Sequence, residues 1–122
     1  MTRPLVLVVD PDPEALDRTE AALAGRIGGD FRVCGETSLE AARDRLEATS
    51  EQGGDAALLL LDTGLAQDDV EPLLAATRTW FPDARRALLM PWGGWAQRSM
   101  ADLILRGMSL GSIDYYVLKP WK

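Results

Sequence analysis

The sequence predicts an α/β domain whose parallel sheet carries helices on both faces. Three observations predict it. Short apolar runs of strand length alternate with longer segments of helical period. The most buried runs are apolar at consecutive positions, as strands covered on both faces are. Asp, Pro and Gly stand at the changes from one kind of segment to the other. With 122 residues the chain can sustain one hydrophobic core without staples and is too short for a second. No repeat, linker or low-complexity stretch divides it, so residues 1–122 read as a single domain.

Taken in order, Leu5 to Val9 is apolar throughout and stops at Asp10-Pro11-Asp12-Pro13, which predicts a central buried strand. Asp12 before Pro13 is an N-cap ahead of a proline at the first helical position. Leu16, Leu23 and Ile27 then share one face of a helix that ends near Gly28-Gly29. Phe31 to Cys34 alternates as a half-exposed strand does. Ser38 caps a second helix with Leu39, Ala42 and Leu46 inward, closing at Gly53-Gly54. Ala56 to Leu61 is the third and most buried strand, ending in Asp62. Asp68 or Asp69 is expected to cap a third helix, with Val70, Leu73, Leu74 and Thr77 along its inner stripe and Trp80-Phe81-Pro82 at its end. Ala87 to Met90 is the fourth strand, stopped by Pro91. Trp95 to about Gly107 reads as a fourth helix with Met100, Leu103 and Ile104 inward, and Tyr115 to Leu118 as the fifth strand. The helix that should follow is missing, so the C-terminal edge is expected to continue into more chain.

Composition excludes several classes of function. Thirteen basic against nineteen acidic residues leave a net charge of −6, and no basic run appears, so the charge that drives nucleic-acid binding is absent. The chain has no histidine, which removes histidine triads, histidine general bases, histidine metal sites and phosphohistidine carriers. Cys34 is a single cysteine, so neither an internal disulfide nor a CxxC pair is available and a reduced, cytoplasmic setting is expected. The longest apolar run, Ala56 to Leu61, is far short of a membrane span, and the N-terminus lacks the form of a signal peptide.

In a doubly wound sheet, ligands bind beyond the carboxyl ends of the strands. The residues there are Asp10 and Asp12 after strand one, Asp62 after strand three, Met90 after strand four and Lys119 after strand five. Two carboxylates from neighbouring strands and a lysine would form a small acidic pocket suited to a divalent cation or a phosphoryl group. The plainer reading of strand-end aspartates is capping and turn formation, which fits Asp12, Asp68 and Asp69 because helices follow them. Asp62 precedes Thr63-Gly64 rather than a helix, so the pocket reading suits it better. Lys119 reads otherwise as a surface lysine before a turn.

Asp10, the apolar strand ending in Asp62 and the pair Lys119-Pro120 resemble the receiver domain of two-component response regulators, over nearly the whole chain. The stretches from Phe81 to Leu89 and from Tyr115 to Trp121 resemble a narrower group, receivers fused ahead of a thioredoxin-reductase-like FAD and NADPH module. The resemblance implies a flavodoxin-like, doubly wound, five-stranded parallel sheet of order 2-1-3-4-5. It also implies an aspartate that accepts a phosphoryl group from a histidine kinase, with Mg²⁺ beside it. The acceptor maps to Asp62, the metal ligands to Asp10, Asp62 and the carbonyl of Gly64, and the retained lysine to Lys119. The second acid after strand one maps to Pro11, and Asp12 stands one residue too far along. The switch hydroxyl maps to Met90, which has no donor, and its aromatic partner to Tyr116. Mg²⁺ binding is therefore expected to be weak or absent. The resulting reading is a regulatory, non-catalytic receiver, weakly phosphorylated or not at all, that controls an attached flavoprotein module. The alternative is a working phosphoacceptor at Asp62.

Other classes fit less well. Asp10-Pro11-Asp12 resembles the Asp-x-Asp pair of haloacid-dehalogenase-like phosphatases, but Pro13-Glu14 departs from the continuation of that motif. Pro11-Asp12-Pro13 provides no glycine turn for a dinucleotide, so the chain is expected to bind neither FMN, FAD nor NAD by itself. Trp92, Trp95 and Trp121, with the apolar face left by the missing helix, favour an interaction module. A homodimer through the face of strands four and five is the expected partner arrangement.

Overall fold

The computed structural model describes residues 3–62, 65, 67–90 and 115–118, with residues 67–69, 90 and 115–118 described by their backbone course. In chain order the elements are β1 (Leu5–Val9), α1 (Pro13–Ile27), β2 (Arg32–Glu36), α2 (Leu39–Glu51), β3 (Ala56–Asp62), α3 (Gln67–Trp80), β4 (Arg85–Met90) and β5 (Tyr115–Leu118). All neighbouring strands pair in parallel, in the order β2-β1-β3-β4-β5. This is the doubly wound order that the resemblance implies. The helix expected over residues 95–107 lies outside the described residues, as does all that follows Leu118. Among the described residues no helix is long and apolar enough to cross a membrane.

Strand pleating sends alternate residues to opposite faces and so divides the core in two. On one face Leu5, Leu7, Val9, Leu59, Leu61 and Leu88 pack with Ala42 and Leu46 of α2 and with Val70, Leu73 and Leu74 of α3. On the other, Val8, Leu60, Ala87 and Leu89 pack with Leu16 of α1, and Leu23 and Leu58 sit at the margin. Leu60, Ala87 and Leu89 are buried on that face.

The caps follow the sequence. The Asp12 carboxylate accepts the Glu14 amide at 3.1 Å, and the Ser38 hydroxyl accepts the Ala41 amide at 3.1 Å. After α2, Gly53 takes a φ of +73°, a conformation costly for any residue with a Cβ, and the next amide, of Gly54, returns to the Thr49 carbonyl. The buried threonines Thr19, Thr49 and Thr77 each donate to the carbonyl four residues earlier, which lets a hydroxyl sit within a helix interface.

Three boundaries differ from expectation. α3 begins at Gln67, so Asp68 and Asp69 lie within its first turn instead of capping it, where the helix dipole still favours acidic residues. β2 runs from Arg32 through Gly35 to Glu36, because its ladder to β1 continues until the Asp10 amide reaches the Glu36 carbonyl. β4 starts at Arg85 rather than Ala87, since pairing with Leu58 and Leu59 enforces extended backbone through two arginines that break the apolar run.

Candidate functional site

Register places the two central aspartates side by side. β1 and β3 pair Val6 with Leu58 and, at constant offset, Val9 with Leu61, so Asp10 and Asp62 form the next row at the carboxyl end of the sheet. Parallel neighbours lie about 4.8 Å apart, and paired residues project to the same face. Both side chains are buried: Asp10 is 1% exposed and Asp62 7%. β4 extends the row, since Asp62 pairs with Leu89, and β5 pairs Val117 with Leu89.

The turn after β1 is built on Asp10. Its Oδ1 accepts the Asp12 amide at 2.9 Å, an Asx turn across Pro11. That turn presents Asp12 to α1, where its own carboxylate caps the helix and is exposed. Asp12 therefore serves as a helix cap. Among the described residues no group of three acidic or sulfur ligands stands close enough to hold a metal ion. Asp10 and Asp62 would hold Mg²⁺ as a pair. That number of carboxylates suits an ion that keeps several of its waters, so the two side chains fit Mg²⁺.

Met90 closes β4, and its backbone pairs with Leu118. Tyr116 pairs with Leu88, one row before that of Asp62. Leu89, the β4 residue in the row of Asp62, is 2% exposed. Neither Leu89 nor Met90 has a hydroxyl, so a shift of one residue in the assignment of the switch position would not restore a donor. Gly64 and Lys119 lie outside the described residues.

Sequence reasoning passed over Arg86. It is 6% exposed, and pairing with Leu59 puts it on the α2/α3 face, away from the aspartate row. The signal available was its place two residues before Leu88, which would have marked it as inward-facing had the strand been extended back.

No family model and no curated protein matches the chain. Solved structures do. A signal receiver domain of an HD domain-containing protein from Pseudomonas fluorescens Pf-5 aligns over 100% of this chain and 79% of its own, with 24% identity and a TM-score of 0.72. A CheY-like response regulator receiver domain protein from Methanospirillum hungatei JF-1 aligns over 99% and 85%, with 18% identity and a TM-score of 0.66. A response regulator from Burkholderia pseudomallei, solved with a phosphorylated aspartic acid, a calcium ion and citrate, aligns over 98% and 61%, with 23% identity and a TM-score of 0.64. Strand order, the buried aspartate row and these likenesses agree: the chain has the fold of response-regulator signal receiver domains.

Proposed function

We propose that the chain is a regulatory signal receiver, non-catalytic in itself, whose Asp62 site has lost part of its phosphorylation machinery. On this reading it acts through protein contacts on an attached module, of the thioredoxin-reductase-like flavoprotein kind that its sequence resembles. The observation that carries the proposal is the aspartate row: Asp10 and Asp62 are buried together, while Asp12 is turned to capping and Pro11 offers no carboxylate. A phosphoryl acceptor is present, but metal ligation and the switch donor are both reduced.

Phosphoryl transfer depends on positioning and charge neutralisation more than on covalent chemistry by the protein. Mg²⁺ would supply that neutralisation. In this chain Asp10 orders the turn and would hold the ion together with Asp62, and Asp62 would take the phosphoryl group from a phosphodonor on a carboxylate oxygen. Losing one carboxylate ligand and one charge-assisted hydrogen bond costs about 2–4 kcal/mol, or roughly 30- to 1,000-fold in affinity. A second reading, a working acceptor served by a histidine kinase, draws on the retained Asp10–Asp62 pair. Calorimetric Mg²⁺ titration of the wild-type chain and of Pro11→Asp separates the two. The proposal expects no saturation at millimolar Mg²⁺ in the wild type and saturation in the variant. Saturation of the wild type in that range supports the second reading.

A further inference from the structure

We propose that the exposed edge of β2 is a homotypic docking edge, on which a second copy of the chain lays its own β2 antiparallel with the two strands centred on Cys34. β2 ends the sheet and pairs with β1 alone. The Arg32 amide donates to the Pro4 carbonyl, and the Glu36 carbonyl accepts from the Asp10 amide, so Arg32 and Glu36 direct these backbone groups toward β1. By alternation along the strand, Val33 and Gly35 direct theirs outward. An unpaired strand edge of this kind is a template for another strand.

Charge selects the orientation and the register. Antiparallel pairing centred on Cys34 sets Val33 opposite Gly35 of the second copy, so that all the outward amides and carbonyls of both strands are used. The same register sets Arg32 opposite Glu36 of the second copy, twice by symmetry. Parallel in-register pairing would oppose Arg32 to Arg32 and Glu36 to Glu36, which is repulsive. The chain leaves both charges able to pair. Arg45 Nε and Nη2 both approach one oxygen of Glu36, Oε2, at 2.8 Å, and Arg32 is exposed, with no ion pair to a described residue.

Space is available on the α2 face. Beside β2 on the α2 face runs an open groove of about 430 Å³, lined in part by Arg32, Glu36, Arg45 and Thr49, so α2 stands back from the edge.

Reciprocal charge reversal is the test, with mass in solution read by light scattering across a concentration series. The wild type is expected to dimerise. Arg32→Glu and Glu36→Arg should each weaken self-association about tenfold or more, because each opposes like charges twice. An equimolar mixture of the two variants should associate again, since every pair across the edge is then of opposite sign. Val33→Pro, which removes an outward amide without touching the β1 ladder, should weaken association without altering the fold seen by circular dichroism. Cys34 gives an independent reading. Opposed Cα atoms at about 4.5–5.5 Å lie within disulfide range, so diamide should oxidise two thiols to one intermolecular disulfide in the wild type and far less in Arg32→Glu. A wild type that stays monomeric at all concentrations would overturn the proposal. So would a dimer indifferent to Val33→Pro and to both charge reversals, which would place the interface elsewhere, for instance on the face of β4 and β5.

Discussion

Asp10, Asp12 and Gly35 show how much of this molecule is decided by single residues. Asp10 accepts the Asp12 amide, Asp12 accepts the Glu14 amide, and between them they turn the chain from β1 into α1 across two prolines. If capping is the work of Asp12, Asp12→Asn should leave stability nearly unchanged, whereas Asp12→Ala should cost about 1 kcal/mol in urea denaturation. Equal losses in both would mean that its negative charge matters elsewhere. Gly35 is required for a different reason. A Cβ there would lie 2.8 Å from Leu16 Cδ1 and 3.2 Å from Glu20 Cδ, and Leu16 is buried. Gly35→Ala should therefore destabilise the fold by about 1–2 kcal/mol through overpacking between α1 and β2. An unchanged denaturation midpoint would show that Leu16 can move aside. The capping of Asp12 was legible in the sequence because Asp-Pro before a helical period has a local cause. The need for Gly35 was not, because it arises from a helix that passes over the strand and leaves no local mark.

At the level of elements, α3 carries the least regular chemistry. Pro72 is its sixth residue, where proline has no amide to give to the carbonyl four residues earlier. It is exposed, and with Leu39, Glu40, Arg43 and Leu73 it lines a groove of about 300 Å³ between α2 and α3. Pro72→Ala should raise stability by about 1–2 kcal/mol, the restored helix bond being partly offset by a more flexible unfolded chain. A loss of stability instead would mean that the ring's contacts in the groove outweigh the missing hydrogen bond. Strand existence was readable wherever an apolar run was continuous, as in β1 and β3. Strand ends were not: β4 begins with Arg85 and Arg86, which single-residue hydropathy assigns to a loop and which only pairing with β3 draws into the sheet. The start of α3 was misplaced for a similar reason, because Asp68 and Asp69 are good caps and equally good first-turn residues.

For the whole molecule, the alternation of runs was enough to indicate a parallel sheet, and the order β2-β1-β3-β4-β5 followed from the resemblance rather than from periodicity. That order is what brings the aspartates together. Asp10 and Asp62 are 52 positions apart in sequence, yet they become neighbours because β1 pairs with β3 at that constant offset. On the proposed function this row is a receiver site deprived of a carboxylate at Pro11 and a hydroxyl at Met90. Its most direct test is the intact mass of the chain after incubation with Mg²⁺ and a small phosphodonor such as acetyl phosphate. An unchanged mass is expected for the wild type and for Asp62→Asn. A gain of one phosphoryl group is expected when Pro11→Asp and Met90→Thr are combined, and loss of that gain when Asp62→Asn is added. A phosphoryl gain in the wild type that Asp62→Asn abolishes would contradict it and make the chain a working phosphoacceptor.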